Sequence, residues 1–284
     1  SDGVGGVASF GIAASGATFS GSSNVNVGAY QVAPQGTVTT SGQNFSNVIT
    51  MVGTQTVVAK TISLAGVSGV TKTYDGTTDL VGFTVGLNNV FTNDRVTATG
   101  TGQYATKDAG TGLSYTINNL SLAGLDSQNY QFSSGSYTGT DGQISKAHLT
   151  VSANPASKIY GEANPTFAAT VSGFVNGETF SSSGVTGSPS LSSVASSTTS
   201  VGTATISVGS GSLSATNYDF SQTVDSTLTI NPRPLNVVAN AATKIYGDAN
   251  PLFSYTAETS STGRGLVNGD TLSGLLNTTA TTNS

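Results

Sequence analysis

An eight-residue stretch occurs twice in this chain at a fixed distance. Residues 158–165 read Lys-Ile-Tyr-Gly-Glu-Ala-Asn-Pro, and residues 244–251 differ only by Asp in place of Glu. A shorter relative, Lys-Thr-Tyr-Asp-Gly, begins at Lys72, and each step from one lysine to the next is 86 residues. A repeat at a fixed period is typical of a tandem array, so it predicts several small domains rather than one enzyme core.

The period divides the 284 residues into two whole modules with a part-module at each end. Each whole module is close to the common domain size of about 100 residues, so each can bury its own core. We interpret the chain as a segment of a longer protein. The predicted divisions are the closing part of a degenerate module at 1–66, whole modules at 67–147 and 148–234, and the opening part of another at 235–284.

The composition favours strands over helices. Charged residues make up 8% of the chain, whereas ordinary soluble domains contain about 25%. Val, Ile, Tyr and Phe supply much of the apolar content and prefer strands, while the 36 glycines suit turns. We therefore predict an all-β protein, a tandem array of small sandwich-like or β-grasp-like modules, with the strand order left open.

Alternating apolar residues mark the individual strands. The alternation predicts strands at residues 113–117 and 149–153, a strand that begins at Asn129-Tyr130, and a closing strand at residues 224–230. The joint that follows, Asn231-Pro232-Arg233-Pro234, contains two prolines. Because proline fixes the backbone, this joint is expected to be an extended, semi-rigid connector within a stiff array.

Charge and composition exclude several classes of function. The net charge is −5 and no basic patch is present, which argues against nucleic-acid binding. No run of eighteen apolar residues is present, so no membrane span is expected. Residues 1–30 lack the basic start and apolar core of a signal peptide. With no cysteine, disulfides and thiolate metal sites are ruled out.

Two sets of motifs resemble known repeat domains. Tyr74-Asp75-Gly76-Thr77-Thr78, followed by Asn129-Tyr130-Gln131, resembles the YDG domain of large haemagglutinin-like exoproteins. The two Lys-Ile-Tyr-Gly stretches, with Asn217-Tyr218, resemble MBG domains. The resemblance covers residues 60–284 and implies a secreted bacterial adhesin, filamentous-haemagglutinin-like or of the biofilm matrix. It implies no ligand site, because such modules usually serve as stalk.

The repeated motifs supply the candidate site residues, and we predict a structural role for them. Tyr74, Tyr160 and Tyr246 recur in register, and exposed tyrosines could bind sugars. A buried tyrosine with its hydroxyl bonded locally is the simpler interpretation. The full set is Lys72, Tyr74, Asp75, Gly76, Asn129, Tyr130, Lys158, Tyr160, Gly161, Glu162, Asn217, Tyr218, Lys244, Tyr246, Gly247 and Asp248.

No catalytic, cofactor-binding or metal-binding residue is predicted. His148 is the single histidine, which leaves too few partners for a His-based metal site or a catalytic triad, so no enzyme is expected. Loop oxygens of residues such as Asp94, Asp126 and Asp270 could bind calcium. Turn formation explains these residues without a metal, so we expect no cofactor, with Ca²⁺ as the alternative.

The function that these observations favour is a repeat stalk or scaffold segment of a secreted bacterial cell-surface adhesin or biofilm-matrix fibre. Such a segment gives reach outside the cell and could self-assemble into filaments or laterally through edge strands. Its expected partners are further copies of itself, exopolysaccharide, or a host or cell surface.

Three alternatives remain open at this stage. The first is a carbohydrate-binding module for an exopolysaccharide, and the second is an ice-binding face at Thr37-Val38-Thr39. The third is a covalent Lys–Asn isopeptide bond, which the recurring trio of lysine, acid and asparagine would supply, for example through Lys72 and Asn129.

Overall fold

The computed structural model of the protein describes residues 11–35 and 53–281. The chain divides into two compact units, Ser1–Ser145 and Lys146–Ser284. Within the described ranges the regular structure consists of strands, apart from one 3₁₀ turn at Ser127–Asn129. The predicted all-β fold class is therefore confirmed. No helix in these ranges is long and apolar enough to cross a membrane.

The first unit begins with a three-stranded antiparallel sheet of order β1-β2-β3. Its strands are β1 (Gly11–Ser15), β2 (Gly28–Gln35) and β3 (Thr54–Val57). Between β1 and β2 the chain forms a bridge between Phe19 and Val25. Residues 19–27, called the hairpin loop below, face the next module and contact it.

The first whole module contains two sheets. Its strands are β4 (Lys60–Ser68), β5 (Thr71–Thr73), β6 (Asp79–Leu80), β7 (Thr84–Asn88), β8 (Thr97–Tyr104), β9 (Gly110–Ala123), β10 (Tyr130–Phe132) and β11 (Tyr137–Ser145). One sheet has the order β10-β4-β7, and the other β5-β11-β9-β8-β6. The pairs β4–β10 and β5–β11 are parallel, so each sheet joins strands that are distant in sequence.

Aromatic side chains form much of the core of this module. Tyr104 and Tyr115 are 3% and 1% exposed, and their rings meet edge to face with centroids 6.4 Å apart. The Tyr104 hydroxyl donates to the carbonyl of Val70 at 2.7 Å. Because an aromatic ring buries a large area and its hydroxyl finds a local partner, a few tyrosines can stabilise a module whose other residues are mostly small.

The second whole module repeats this architecture. Its strands are β12 (Ala147–Ala153), β13 (Ala156–Ile159), β14 (Ala169–Ser172), β15 (Ser190–Ser192), β16 (Gly202–Gly209), β17 (Tyr218–Val224) and β18 (Ser226–Asn231). They form sheets of order β14-β12-β17 and β13-β18-β16-β15. The pairs β12–β17 and β13–β18 are parallel, as in the first module. The repeat in sequence is thus a repeat of fold.

Aliphatic side chains fill the core of the second module. Val151, Ile206 and Leu228 are fully buried there, together with Ile230. Burial alternates along these strands, so these side chains point to the inner face of their sheet.

The third module follows the connector and contains two short antiparallel strands, β19 (Val237–Ala239) and β20 (Tyr255–Ala257). They lie one 86-residue period after β12 and β14. Val237 on β19 is 47% exposed, whereas its counterpart one period earlier, Val151 on β12, is fully buried.

The predicted strands at residues 113–117 and 149–153 are confirmed within β9 and β12. The division predicted after residue 66 lies inside β4, which pairs with β7 and β10, so the first whole module begins before that point. The closing strand predicted at 224–230 is shorter. Val224 ends β17 and is 51% exposed, because the carboxylate of Asp225 bonds the backbone N–H of Val208 and interrupts the run.

Candidate functional site

The repeated lysine fastens the tip of its own module. Lys158 lies on β13 and is 7% exposed. Its ammonium donates to the carbonyl oxygens of Glu162 at 3.2 Å and Ser196 at 2.6 Å. A buried ammonium needs such partners, because an unpaired charge away from water is costly. The tip loop, residues 160–165, is held to the rest of the module by these bonds.

The third module makes the same contacts one period later. Lys244 donates to the carbonyls of Asp248 at 3.5 Å and Thr281 at 2.5 Å. The motif asparagines bond the neighbouring carbonyls. Asn164 donates to the carbonyl of Ala195, the residue before Ser196, at 2.7 Å, and Asn250 donates to that of Ala280, the residue before Thr281, at 2.9 Å. The repeated motif is therefore a set of local hydrogen bonds that shapes each tip loop.

The first module uses a variant of this arrangement. Lys72 donates to the carboxylate of Asp75 and to the carbonyl of Thr77, both at 2.8 Å. Asp75 also accepts the backbone N–H of Thr77 at 2.9 Å. Burial raises the pKa of Asp75, but the hydrogen bonds from Lys72 and Thr77 outweigh it and leave the pKa below its ordinary value.

A glycine within each motif lets the tip loop turn. Gly76, Gly161 and Gly247 have φ angles of 80°, 88° and 91°. This left-handed region is open to glycine at little cost and is strained for residues with a Cβ. The glycine of the motif is thus required by backbone geometry.

The three motif tyrosines do not share one environment. Tyr74 is 2% exposed, Tyr160 is half-buried and Tyr246 is 82% exposed. The simple interpretation of a buried tyrosine holds for Tyr74 alone. A sugar-binding row would need the same exposed face in every module, and these positions do not present one.

The Asn-Tyr pair lies at the other pole of each module. The Tyr130 hydroxyl donates to Asp94 at 2.5 Å and accepts the backbone N–H of Phe91 at 3.1 Å. In the second module the Tyr218 hydroxyl donates to Glu178 at 2.7 Å and accepts a backbone N–H of the same loop at 3.2 Å. Burial, followed by the hydrogen bond to Asp94, raises the pKa of Tyr130.

Replacing Tyr130 by phenylalanine is expected to lower the free energy of unfolding of the first module by about 1–2 kcal/mol, because Asp94 and the Phe91 N–H lose their shared partner. Chemical denaturation measures the loss. Tyr137→Phe is the matched control, since no hydrogen bond of its hydroxyl contributes to this pole. Equal losses in both variants would mean that the hydroxyl of Tyr130 contributes nothing specific.

Side chains at this pole of the first module bind the hairpin loop of the preceding sheet. Each acceptor is a side-chain oxygen and each donor is a backbone N–H of the hairpin loop. The pairs are Ser22 to Asp94 at 2.6 Å, Gly21 to Asp126 at 3.2 Å, and Val27 to Asn129 at 2.7 Å. Burial raises the pKa of Asp94, but the hydrogen bonds from Tyr130, Ser22 and Ser20 outweigh it and leave the pKa lower than usual.

Arg233, in the connector between the second and third modules, is the centre of a second joint. Its side chain is 6% exposed. The guanidinium donates to the tip loop at Glu162 (2.8 Å) and at the carbonyl of Tyr160 (3.1 Å). It also donates to three carbonyls of the third module, those of Gly265 at 2.9 Å, Ser261 at 2.5 Å and Arg264 at 3.0 Å. A planar fork with five donors can bind two loops at once.

Glu162 is the acidic partner in this joint. One of its carboxylate oxygens accepts from Arg233 and also from the backbone N–H of Gly263 at 3.0 Å. The hydrogen bond from Arg233, followed by that from Gly263, holds the pKa of Glu162 below its ordinary value. The acid of the motif thus connects its own module to the next one.

Further contacts surround the same joint. A Cβ at Gly161 would lie 2.6 Å from the Cγ2 of Val267, so only glycine allows the two loops to approach this closely. The Asn268 amide donates to the carbonyl of Ser197 at 3.0 Å. The Tyr160 hydroxyl reaches the carboxylate of Asp270 at 3.4 Å. Together these contacts position the third module against the tip loop of the second.

The joint is expected to loosen in acid. The folded pKa of Glu162 is depressed, so its stabilisation is complete above the ordinary value of 4.5 and is lost as the pH falls through the lower, folded pKa. The NMR shift of the Gly263 amide, titrated from pH 7 downwards, measures this change.

Glu162→Gln separates this residue from other carboxylates. In that variant the Gly263 amide shift should no longer follow the pH. A step that persists in the glutamine variant would assign the acid sensitivity to another group.

The structure brings together some of the predicted residues and separates others. Lys72 bonds Asp75, whereas Asn129 bonds the hairpin loop, so the proposed isopeptide pair does not meet. His148 is exposed, and its Nδ1 lies 2.7 Å from the carboxylate of Asp219. The described residues contain no group of three or more His, Cys, Asp or Glu that could hold a metal ion.

The comparison with domain families decides what these modules are. The family model of the YDG domain matches residues 58–138, and that of the MBG domain (YGX type) matches residues 149–229 and 235–284. The chain contains a YDG domain followed by MBG domains. No curated protein and no solved structure matches the chain. The YDG match begins at residue 58, close to the start of β4 at Lys60, and Arg233 lies among the five residues, 230–234, that separate the two MBG matches.

Proposed function

We propose that this chain is a segment of the repeat stalk of a secreted bacterial cell-surface adhesin or biofilm-matrix fibre. YDG and MBG domains are consistent with the repeat region of a cell-surface protein. In this role the segment is extracellular, has no catalytic activity and requires no cofactor. Its task is to hold a binding region at a distance from the cell.

The observation that carries the proposal is the joint at Arg233. A freely hinged chain would leave its connector in water, but this arginine is buried and bonds loops of both MBG domains. Fixing two domains in this way costs conformational entropy. A spacer benefits from a fixed joint nevertheless, because the joint keeps its two domains extended. The low charge of 8% suits a surface that does not attract other macromolecules electrostatically.

Reach can be tested by changing the number of copies. One, two or three copies of the whole chain would be displayed on cells between a membrane anchor and an antibody epitope. Antibody binding in the presence of surface polysaccharide should rise with each copy. An unstructured Gly/Ser linker of equal residue number should give less, because its ends approach each other.

Two results would contradict a stalk role. Epitope access that is independent of copy number would remove the need for reach. Retention of cells by the displayed chain without any epitope or tip would make the chain itself the adhesive part, which a glycan array would then examine for the carbohydrate alternative. The Thr37-Val38-Thr39 motif of the ice-binding alternative lies outside the described residues.

A further inference from the structure

One edge of the larger sheet of the YDG domain is only partly covered. Strand β6 pairs with β8 at Asp79–Gln103 and Leu80–Gly102. The chain then turns away at Gly82, whose φ is 73°. Along residues 97–101 of β8, no described strand pairs on this side. An uncovered strand edge presents backbone donors and acceptors that a further strand could use.

The register identifies which backbone groups face outward. Tyr104 donates its N–H to Thr78 on the β6 side at 2.8 Å. The β8–β9 pairing shifts register between Thr99 and Thr101, but the extra residue lies in β9. Along β8 every second residue therefore still bonds to the same side, so Gly102, Gly100 and Ala98 are oriented like Tyr104. Gly102 meets Leu80, whereas the N–H and C=O of Gly100 and Ala98 point away from the sheet. Two residues therefore present two donors and two acceptors in strand geometry.

A groove of about 760 Å³ lies beside these groups. Leu80, Phe83 and Ala98 supply apolar lining, and glycines at 100 and 102 leave the floor uncovered. A Cβ at Gly100 would lie 2.7 Å from Ile117, so the backbone there sits directly on the core. In an added antiparallel strand, the side chain opposite Gly100 would enter this groove, because paired residues point to the same face.

The edge carries few of the features that prevent strand addition. Residues 97–104 include no charged residue and no proline, which are the usual protections of an edge strand. Asp79 is the only charged residue that lines the groove. Asp79 lies on β6, and an added strand that continues β6 along β8 would have its first residue close to this side chain. A cation at the start of such a strand would complement this carboxylate.

We propose that the YDG domain binds an extended peptide segment of a partner protein as an added strand on β8, antiparallel to it. The segment carries a cationic residue first, an aromatic residue opposite Gly100 and a β-branched residue opposite Ala98. The aromatic side chain covers the glycine floor, as aromatic residues do opposite glycines in other sheets. This role is independent of reach, since it concerns one face of one domain and no module joint.

The probe is the synthetic peptide acetyl-Arg-Tyr-Thr-Val-Thr-amide, added to the full chain. Its binding should protect the Ala98 and Gly100 amides from hydrogen exchange, as NMR measures. The Thr99 amide points to β9 and should be protected already without peptide, so it is the internal control. Absence of protection at Ala98 and Gly100 under saturating peptide would overturn the proposal.

Two variants test the backbone and the charge separately. Ala98→Pro removes one outward N–H, which an edge strand tolerates, and should weaken binding about threefold to tenfold, whereas Thr99→Ala should not. Asp79→Asn should weaken the arginine peptide and leave a glutamine version unchanged. Equal effects on both peptides would exclude the charge pairing.

Two other occupants of the groove give different results. A neutral oligosaccharide that shifts the NMR signals of Phe83 and Gln103 without competing with the peptide would make the groove a glycan site. Protection of Ala98 and Gly100 that rises with protein concentration alone would indicate pairing with a second copy of β8. Either result, in the absence of peptide protection, contradicts the proposal.

Discussion

Replacing Lys158 by methionine is expected to lower the free energy of unfolding of the second module by about 2 kcal/mol, the scale of charge-assisted hydrogen bonds lost from a buried group. Methionine keeps the length and the apolar stem of the side chain. The substitution therefore removes the ammonium and leaves the carbonyls of Glu162 and Ser196 without their donor. Hydrogen exchange of the amides of β13 and β18 under increasing denaturant measures the stability of this module separately.

The chain contains its own matched control for this substitution. Lys244 occupies the same motif position, but it is less buried and one of its two bonds is long, at 3.5 Å. Lys244→Met should therefore cost less than about 1 kcal/mol, as for other exposed contacts. Similar losses at both lysines would show that the stem, and not the buried ammonium, stabilises the tip loop.

Local patterns were sufficient to predict the class of fold and several strands. Alternation at Leu113, Tyr115 and Ile117 places Tyr115 and Ile117 in the core, because side chains of a strand face opposite sides in turn. The pairing of β4 with β10 could not be read in this way. Those strands are separated by most of the module, and nothing within either sequence specifies the partner or the parallel direction.

The limits of a pattern are visible at Val224. It continues the alternation of Ser226, Leu228 and Ile230, so sequence alone includes it in their strand. The structure places it at the end of β17, because Asp225 uses its carboxylate to bond β16. A side chain that bonds the backbone can end a strand without interrupting the apolar alternation around it.

The sequence predicted only some of the residues that form the joint between the two MBG domains. The motif residues Lys158, Gly161 and Glu162 stand out because they recur, and all three act at the tip loop. Arg233 does not recur in the repeat, and in the sequence it is notable only as part of a connector that contains two prolines. Its partners belong to loops on both sides of the connector, so its role depends on how two domains meet, which no local pattern encodes.

Replacing Arg233 by alanine is expected to release the third module from the second. The guanidinium gives up five hydrogen bonds, and we expect the joint to lose about 2–4 kcal/mol, since bonds to charged groups contribute about 1.5–3 kcal/mol each and do not add fully. Most of this loss concerns the buried carbonyl contacts. Glu162 is 40% exposed, so solvent weakens its part of the interaction.

Spin labels can follow this release, because the chain has no native cysteine. Cysteines would replace Thr205 on β16 and Val238 on β19, which are both exposed. The distance distribution between the labels should be narrow in the parent chain and broad in Arg233→Ala. Arg233→Lys should also be broad, because a single ammonium cannot bond both loops in the way that a planar fork does.

Arg264→Ala is the control, because it removes the same positive charge as Arg233→Ala. Its side chain is 46% exposed and pairs with Glu258 inside the third module, so its loss should leave the distribution narrow. A narrow distribution in Arg233→Ala would mean that the prolines and the contacts of Gly161 and Asn268 suffice to fix the joint. In that case the stiffness that a stalk needs would come from the backbone of the connector, and the buried arginine would serve only to fill the space between two loops.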